Sequence, residues 1–304
     1  MTTTMKPRAL AGHEPRPVPL TMLDFEDRMS PLARLQTVAG GPIRYALAGD
    51  GPQTILFLHG IPLSMTTWQD LFFDLARDHR VLAIDMPGFG HSGKAFGDYS
   101  LDATSARVAE LCAALGLARL HVAGSSFGAA VATVLALNAP ELVDRLLLIN
   151  SVGIAGGTHS VERAARIGLV RHAMRSAILR EGIGPRIFRS KMRASYTAHM
   201  PDEAMVDFYY RQLLEPGAAD AFLQTLKQFH EKGLQARLPE LRKPVLSVWG
   251  AGDKVLPVNK SLGIQARLGD CWSVILPEAG HLPHEEFPDR VASLFRRFLT
   301  LAPG

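Results

Sequence analysis

Gly124-Ser125-Ser126-Phe127-Gly128 sets a serine between two glycines in the pattern G-x-S-x-G. A serine hydroxyl is a weak nucleophile at neutral pH. It needs a base within hydrogen-bond reach, and the base needs an acid to orient it. The glycine spacing suits a sharp turn from strand into helix, where flanking side chains would crowd the backbone. Ser126 is the central residue, because a motif centred on Ser125 would put Ala123 and Phe127 at the glycine positions. Trp249-Gly250-Ala251-Gly252-Asp253 offers a carboxylate just past an apolar run, and Ala279-Gly280-His281 offers an imidazole. Ser126, Asp253 and His281 together predict attack on a carbonyl carbon. His281 moves the proton and Asp253 fixes the imidazole tautomer.

Neighbouring residues were weighed for the same tasks. His284 reads as a surface or contact histidine at a helix start. Asn150 ends a strand where a carboxylate could stand in for Asp253, but an amide cannot do that work. Asp85 reads as the organiser of the Pro87–Gly93 loop through backbone hydrogen bonds. A tetrahedral intermediate needs N–H donors aimed at its oxyanion. The Phe127 N–H is one candidate. The Ile61 N–H in His59-Gly60-Ile61-Pro62 is the other, since Pro62 has none to give. Trp68 is a candidate wall of the acyl pocket, with core packing as its plainer reading.

These residues need elements to hold them. Leu32–Val38 and Ile43–Ala48 flank Ala39-Gly40-Gly41-Pro42 and read as a hairpin. Short apolar runs at 54–59 and 80–86 read as buried strands, and those at 120–124, 145–150, 244–250 and 272–276 read as further strands. Helical patterns follow at 64–77, 101–115, 127–139, 257–268 and 288–301. This alternation predicts a mostly parallel eight-stranded sheet with helices on both faces. Loops at the carboxyl ends of parallel strands share one edge, so residues 126, 253 and 281 can converge there. Between 152 and 243 the alternation stops. That stretch reads as helices near 160–180, 184–198, 202–215 and 218–233, a helical cap inserted after the sixth strand. The core is then 32–151 and 244–304.

The chain has 304 residues, of which 47% are hydrophobic and 20% charged, which excludes a disordered polyelectrolyte. No apolar run is long enough for a membrane span, so stable membrane insertion is not expected. A net charge of +4 is too slight to suggest nucleic acid. Cys112 and Cys271 form no disulfide framework and have no metal-ligand spacing, so a reducing, cytoplasmic setting is expected, with no metal. Residues 1–31 hold five prolines and no signal-peptide pattern. They read as an extended arm that is a featureless tail or packs against the body or a second subunit, as in a homodimer. Residues 160–193 carry nine basic residues against two acidic ones. That reads as a solvated face, or as a surface steering anionic substrates or meeting a membrane. The apolar side of these helices is expected to face the cleft or the body.

At this point the chain resembles the α/β-hydrolase-fold superfamily, in its capped, epoxide-hydrolase-like and esterase-like branch. The resemblance rests on HGIP at 59–62, DMPGFGHS at 85–92, GSSFG at 124–128, WGAGD at 249–253 and GHLPHEEFP at 280–288. It covers 32–304 apart from the cap. It implies Ser126 as nucleophile, Asp253 as acid and His281 as base, and hydrolysis through an acyl-enzyme with no cofactor. Epoxide hydrolases and haloalkane dehalogenases of this branch carry an aspartate nucleophile, which Ser126 replaces. Carbon–carbon hydrolases usually have a tryptophan soon after the histidine, where this chain has Leu282-Pro283-His284. The reading is therefore a serine hydrolase acting on a small-molecule carboxylic ester or lactone. The alternatives are a carbon–carbon bond hydrolase of a diketone-like acid or an acyltransferase with the same triad, and, from another class, a non-catalytic ligand-binding protein.

Overall fold

A computed structural model describes residues 28–154, 160–201, 203–265 and 267–301. Eight strands form one sheet: β1 (Ala33–Val38), β2 (Gly41–Ala48), β3 (Thr54–Leu58), β4 (Arg80–Ile84), β5 (Leu120–Ser125), β6 (Val143–Ile149), β7 (Val245–Gly250) and β8 (Cys271–Leu276). Their order is β1-β2-β4-β3-β5-β6-β7-β8. The β1–β2 hairpin and the β2–β4 pair are antiparallel, and every later pair is parallel. The hairpin closes through Val38 opposite Gly41.

The pleat sends alternate side chains to opposite faces. On β3, Leu56 and Leu58 enter one core while Ile55 and Phe57 enter the other. Helices α1 (Gln69–Leu75) and α12 (Pro288–Leu299) cover the Phe57 face, with Phe72, Leu75, Val291 and Phe295 buried there. Helices α2 (Leu101–Ala114) and α3 (Phe127–Asn138) cover the Leu56 face. Residues 127–136 of α3 are all buried. Its glycine and alanines keep the helix close to the strands, and its one polar member in that run, Thr133, donates to Ala129 O at 2.8 Å.

Between β6 and β7 lie α4 (Ser160–Arg166), α5 (Gly168–Leu179), α6 (Gly184–Ala194), α7 (Glu203–Leu214), α8 (Ala218–Gln228) and α9 (Glu231–Arg237). The helix expected over 160–180 is two helices. Ile167 is extended (φ −84°, ψ 117°) and Gly168 restarts the helix. The inward apolar face expected there is only partly present. No residue of α5 is buried, and Leu169 is 82% exposed. Part of the basic charge is paired across helices, Arg175 with Asp220 and Arg189 with Asp207. The helix expected over 257–268 is a 3-10 turn, Val258–Lys260, followed by α10 (Leu262–Gln265). A short α11 (Pro283–Glu286) leads into α12.

Most of the arm expected over 1–31 lies outside the described residues. Its described end packs on the body. Met29 is fully buried, and the Arg28 guanidinium lies 4.4 Å above the Phe73 ring. Among the described residues, no helix is long and apolar enough to cross a membrane.

Candidate active site

Ser126 occupies the turn between β5 and α3 with φ 53° and ψ −115°, a region that L-residues rarely enter. The crowding around it explains the glycines. A Cβ on Gly124 would lie 2.4 Å from Gly128 O, and one on Gly128 would lie 2.2 Å from Leu58 O. The Ser126 N–H donates to Ile149 O at 2.9 Å, tying the turn to the end of β6.

The loop after β3 crosses directly beside Ser126. A Cβ on Gly60 would come within 3.1 Å of Ser126 Cβ and 3.8 Å of its Oγ. Leu63 N–H donates to Gly60 O at 2.9 Å, closing a turn that contains Ile61. Phe127 begins α3, so its N–H has no partner within the helix. Phe127 follows Ser126 in the chain, and Ile61 follows Gly60, whose backbone lies against Ser126.

His59 braces this loop. Its Nε2 accepts the Met86 N–H at 2.9 Å, so Nδ1 carries the proton and donates to Gly60 O at 2.9 Å. Burial lowers its pKa against the pull of Asp85, which keeps the ring neutral. Asp85 holds the next loop. Its carboxylate accepts the N–H groups of Met65 at 2.8 Å and His91 at 2.9 Å, and its carbonyl accepts the Ser92 hydroxyl at 2.6 Å.

The acid and base meet on the next loops along the same edge. His281 Nδ1 lies 2.7 Å from Asp253 Oδ2. Asp253 Oδ1 accepts the N–H groups of Val255 and Leu256, both at 2.7 Å. Oδ2 also accepts Asn150 Nδ2. A carboxylate receiving donors on both oxygens leaves the proton on His281 Nδ1 and the lone pair on Nε2.

Asn150, an amide that cannot be the acid, instead supports it, a role the sequence reading does not contain. Its Nδ2 also reaches Gly280 O at 3.4 Å, and its Oδ1 accepts the Gly250 N–H at 3.3 Å. The side chain links the ends of β6 and β7 to the loop after β8. Its φ of 43° is one that asparagine tolerates better than most residues. An asparagine ending a strand that abuts the serine turn was the signal available.

Ser126, Asp253 and His281 are 8%, 5% and 6% exposed. The inserted helices come down on this edge, where Ser195 O accepts the His281 N–H at 2.6 Å.

Two expectations change. Trp68 packs in the interior: it is fully buried, with Phe57 stacked on one side (centroids 4.8 Å apart) and His284 on the other (4.2 Å). With neighbours against its ring on both sides, it serves packing. His284 is not at the surface. It is buried, its Nε2 is 2.9 Å from Thr67 Oγ1, and burial, with a smaller contribution from His281, pushes its pKa down to about 3. Beside it, Glu285 accepts the hydroxyls of Thr67, Tyr196 and Tyr209. Among the described residues, no group of His, Cys, Asp and Glu side chains could hold a metal ion.

Residues 53–288 match the family model described as the alpha/beta hydrolase fold.

The chain belongs to the α/β-hydrolase-fold family.

An uncharacterized protein of Mycobacterium tuberculosis is 30% identical over 287 residues, covering 90% of this chain and 82% of the relative. The 2-hydroxy-6-oxo-6-(2'-aminophenyl)hexa-2,4-dienoic acid hydrolase of Metapseudomonas resinovorans is 27% identical, covering 88% of this chain and 90% of that protein. Among solved structures, a membrane phospholipase A described as a bacterial virulence factor is 28% identical with a TM-score of 0.72, covering 88% of this chain and 86% of that one. The proteins it is similar to thus include one named as a dienoic acid hydrolase and one described as a phospholipase A.

Proposed function

We propose that this protein is a serine hydrolase that cleaves a small-molecule carboxylic ester, lactones included. The observation that carries the reading is a serine with φ 53° beneath the Gly60 turn, on the same sheet edge as an imidazole 2.7 Å from a carboxylate. Ser126 Oγ attacks the carbonyl carbon as its proton passes to His281 Nε2. The N–H groups of Ile61 and Phe127 receive the oxyanion. The intermediate collapses, the C–O bond to the leaving alcohol breaks, and His281 returns the proton to that alcohol. Water then attacks the acyl-enzyme with His281 as base, releasing the acid and restoring Ser126. Asp253 keeps the Nδ1 proton in place throughout.

The inserted helices act as a cap. The reacting groups are nearly closed from solvent, so substrate entry needs movement of covering residues, and closure excludes water from the reaction. A second reading, hydrolysis of a carbon–carbon bond in a diketone-like acid, draws support from the Metapseudomonas relative. The Leu282-Pro283-His284 run after His281 favours the ester.

The test is a series of chromogenic esters and lactones alongside a vinylogous diketo acid, with labelling by a fluorophosphonate. We expect ester turnover and labelling at Ser126, and Ser126→Ala to lower kcat by at least about a thousandfold. Turnover surviving in Ser126→Ala overturns the reading. Turnover of the diketo acid alone selects the second.

A further inference from the structure

The loop that carries His281 is fastened to the inserted helices by one carboxylate. Glu286 is 4% exposed and lies five residues after His281. Its Oε1 accepts the Gly280 N–H at 2.6 Å. Its Oε2 accepts three successive backbone N–H groups from the turn between α6 and α7: Thr197 at 2.9 Å, Ala198 at 2.8 Å and His199 at 3.3 Å. Two more bonds join the same parts. Ser195 O accepts the His281 N–H at 2.6 Å, and Thr197 Oγ1 donates to Gly252 O at 3.2 Å, next to Asp253.

We propose that Glu286 is a positioning residue that clasps the 195–199 turn to the Gly280–His281 peptide and so fixes the imidazole against Asp253. The inference rests on the proposed serine hydrolase reaction. Hydrogen bonds from N–H groups to a carboxylate are roughly twice as strong as neutral ones, and four of them converge on this side chain. The 195–199 turn is therefore part of the wall that holds His281. A displacement of His281 of about 1 Å is enough to cost about 100-fold in rate.

The experiment compares Glu286→Gln and Glu286→Asp in the full chain. In Glu286→Gln an NH2 group replaces one acceptor and faces N–H donors, so the clasp cannot form completely. We expect kcat per folded molecule to fall about 10- to 100-fold, with KM changing less. The proton NMR signal of the His281–Asp253 hydrogen bond should broaden by faster exchange. Glu286→Asp keeps the charge and should recover part of both. Folded Glu286→Gln with wild-type kcat and an unchanged signal overturns the proposal. So does a loss of kcat that only follows the loss of folded protein. If Glu286→Gln does not fold, Glu286→Asp carries the test: its shorter carboxylate cannot reach all four N–H groups and should lower kcat about threefold, and wild-type kcat with an unchanged signal in it overturns the clasp. Wild-type protein that neither turns over an ester nor takes a fluorophosphonate at Ser126 is a failure of the reaction reading instead. The NMR comparison then still decides the clasp, and an unaltered signal in Glu286→Gln overturns it.

Discussion

The serine turn and the histidine loop are built by different means. Around Ser126 the constraint is backbone against backbone. The turn exists because Gly124, Gly128 and Leu58 O come too close for side chains. Around His281 a second constraint, side chain against backbone, is added to the crowding at Gly250 and Gly280. Asn150 and Glu286 reach across to N–H or C=O groups of distant segments, and Asp253 gathers the N–H groups of its own loop. The first kind of site tolerates almost no change in volume. The second shares that intolerance at Gly250 and Gly280, where a Cβ would lie 1.9 Å from Gly280 O and 2.6 Å from Ser195 O, and in addition cannot accept a change of donor into acceptor.

Gly128→Ala should give the largest effect and tests the first half of the contrast. In an ordinary helix this change stabilises by about 0.5–1 kcal/mol through the loss of glycine's backbone freedom. Here the new Cβ would meet Leu58 O at 2.2 Å and His59 O at 2.5 Å, both backbone atoms. Overpacking of that kind typically costs 1–3 kcal/mol and occasionally more, so the sign reverses. We expect a net destabilisation of about 2 kcal/mol or more in urea denaturation, with ester turnover lost. Unchanged stability would break the comparison, because the serine turn would then not be limited by its backbone.

The same contrast explains what the sequence disclosed. Backbone crowding leaves a local trace, since it admits only glycine, and two glycines at fixed spacing expose Ser126 without any tertiary knowledge. The central strands β3 to β7 are legible for a related reason. Strands covered on both faces are short continuous apolar runs, as in Thr54–Leu58 and Val245–Gly250. Asn150 and Glu286 leave no such trace. Each acts over more than 80 residues of chain, on Asp253 in one direction and on Thr197 in the other, and a lone Asn or Glu has no pattern. Trp68 reads two ways in the sequence for a similar reason, because one ring stacked on it, His284, comes from the far end of the chain. Ile167 splits the expected helix because a glycine follows a β-branched residue there, a local weakness that the apolar spacing concealed.

An intermediate effect is expected at Asn150, where backbone and side chain can be separated. Asn150→Gly keeps the φ of 43° at no strain, while Asn150→Ala adds strain of roughly 1–2 kcal/mol. Both remove the bonds to Asp253, Gly250 and Gly280. If the side chain is what matters, both variants should lose about tenfold in kcat, corresponding to about 1.4 kcal/mol, and differ mainly in thermal stability. If Asn150→Gly turns over like wild type, the residue serves the turn alone and the two regions are built alike.

The smallest effect on turnover is expected at Glu285, and it sharpens the contrast within the histidine loop itself. Glu286 faces N–H groups, whereas its half-buried neighbour faces three hydroxyls. Burial, reinforced by Asp70, pushes the Glu285 carboxyl up to about 7 against the opposing pull of Thr67, Tyr196 and Tyr209. In the unfolded chain it titrates near 4.5. Between those values the folded protein holds a proton that the unfolded chain has released. Stability on this account is therefore complete below pH 4.5 and falls on the order of 1.4 kcal/mol per pH unit until it is lost above about pH 7. Glu285→Gln imitates the protonated group at every pH. Its melting temperature should match that of wild type near pH 4.5 and exceed it by a few degrees at pH 8. His284 contributes the opposite trend, losing stability as pH falls below 6.5 because its folded pKa is depressed to about 3, but it is present in both proteins and cancels in the difference. A gap that opens on the acid side instead would mean that Glu285 is charged when folded. Both neighbouring carboxylates would then hold the loop by the same means.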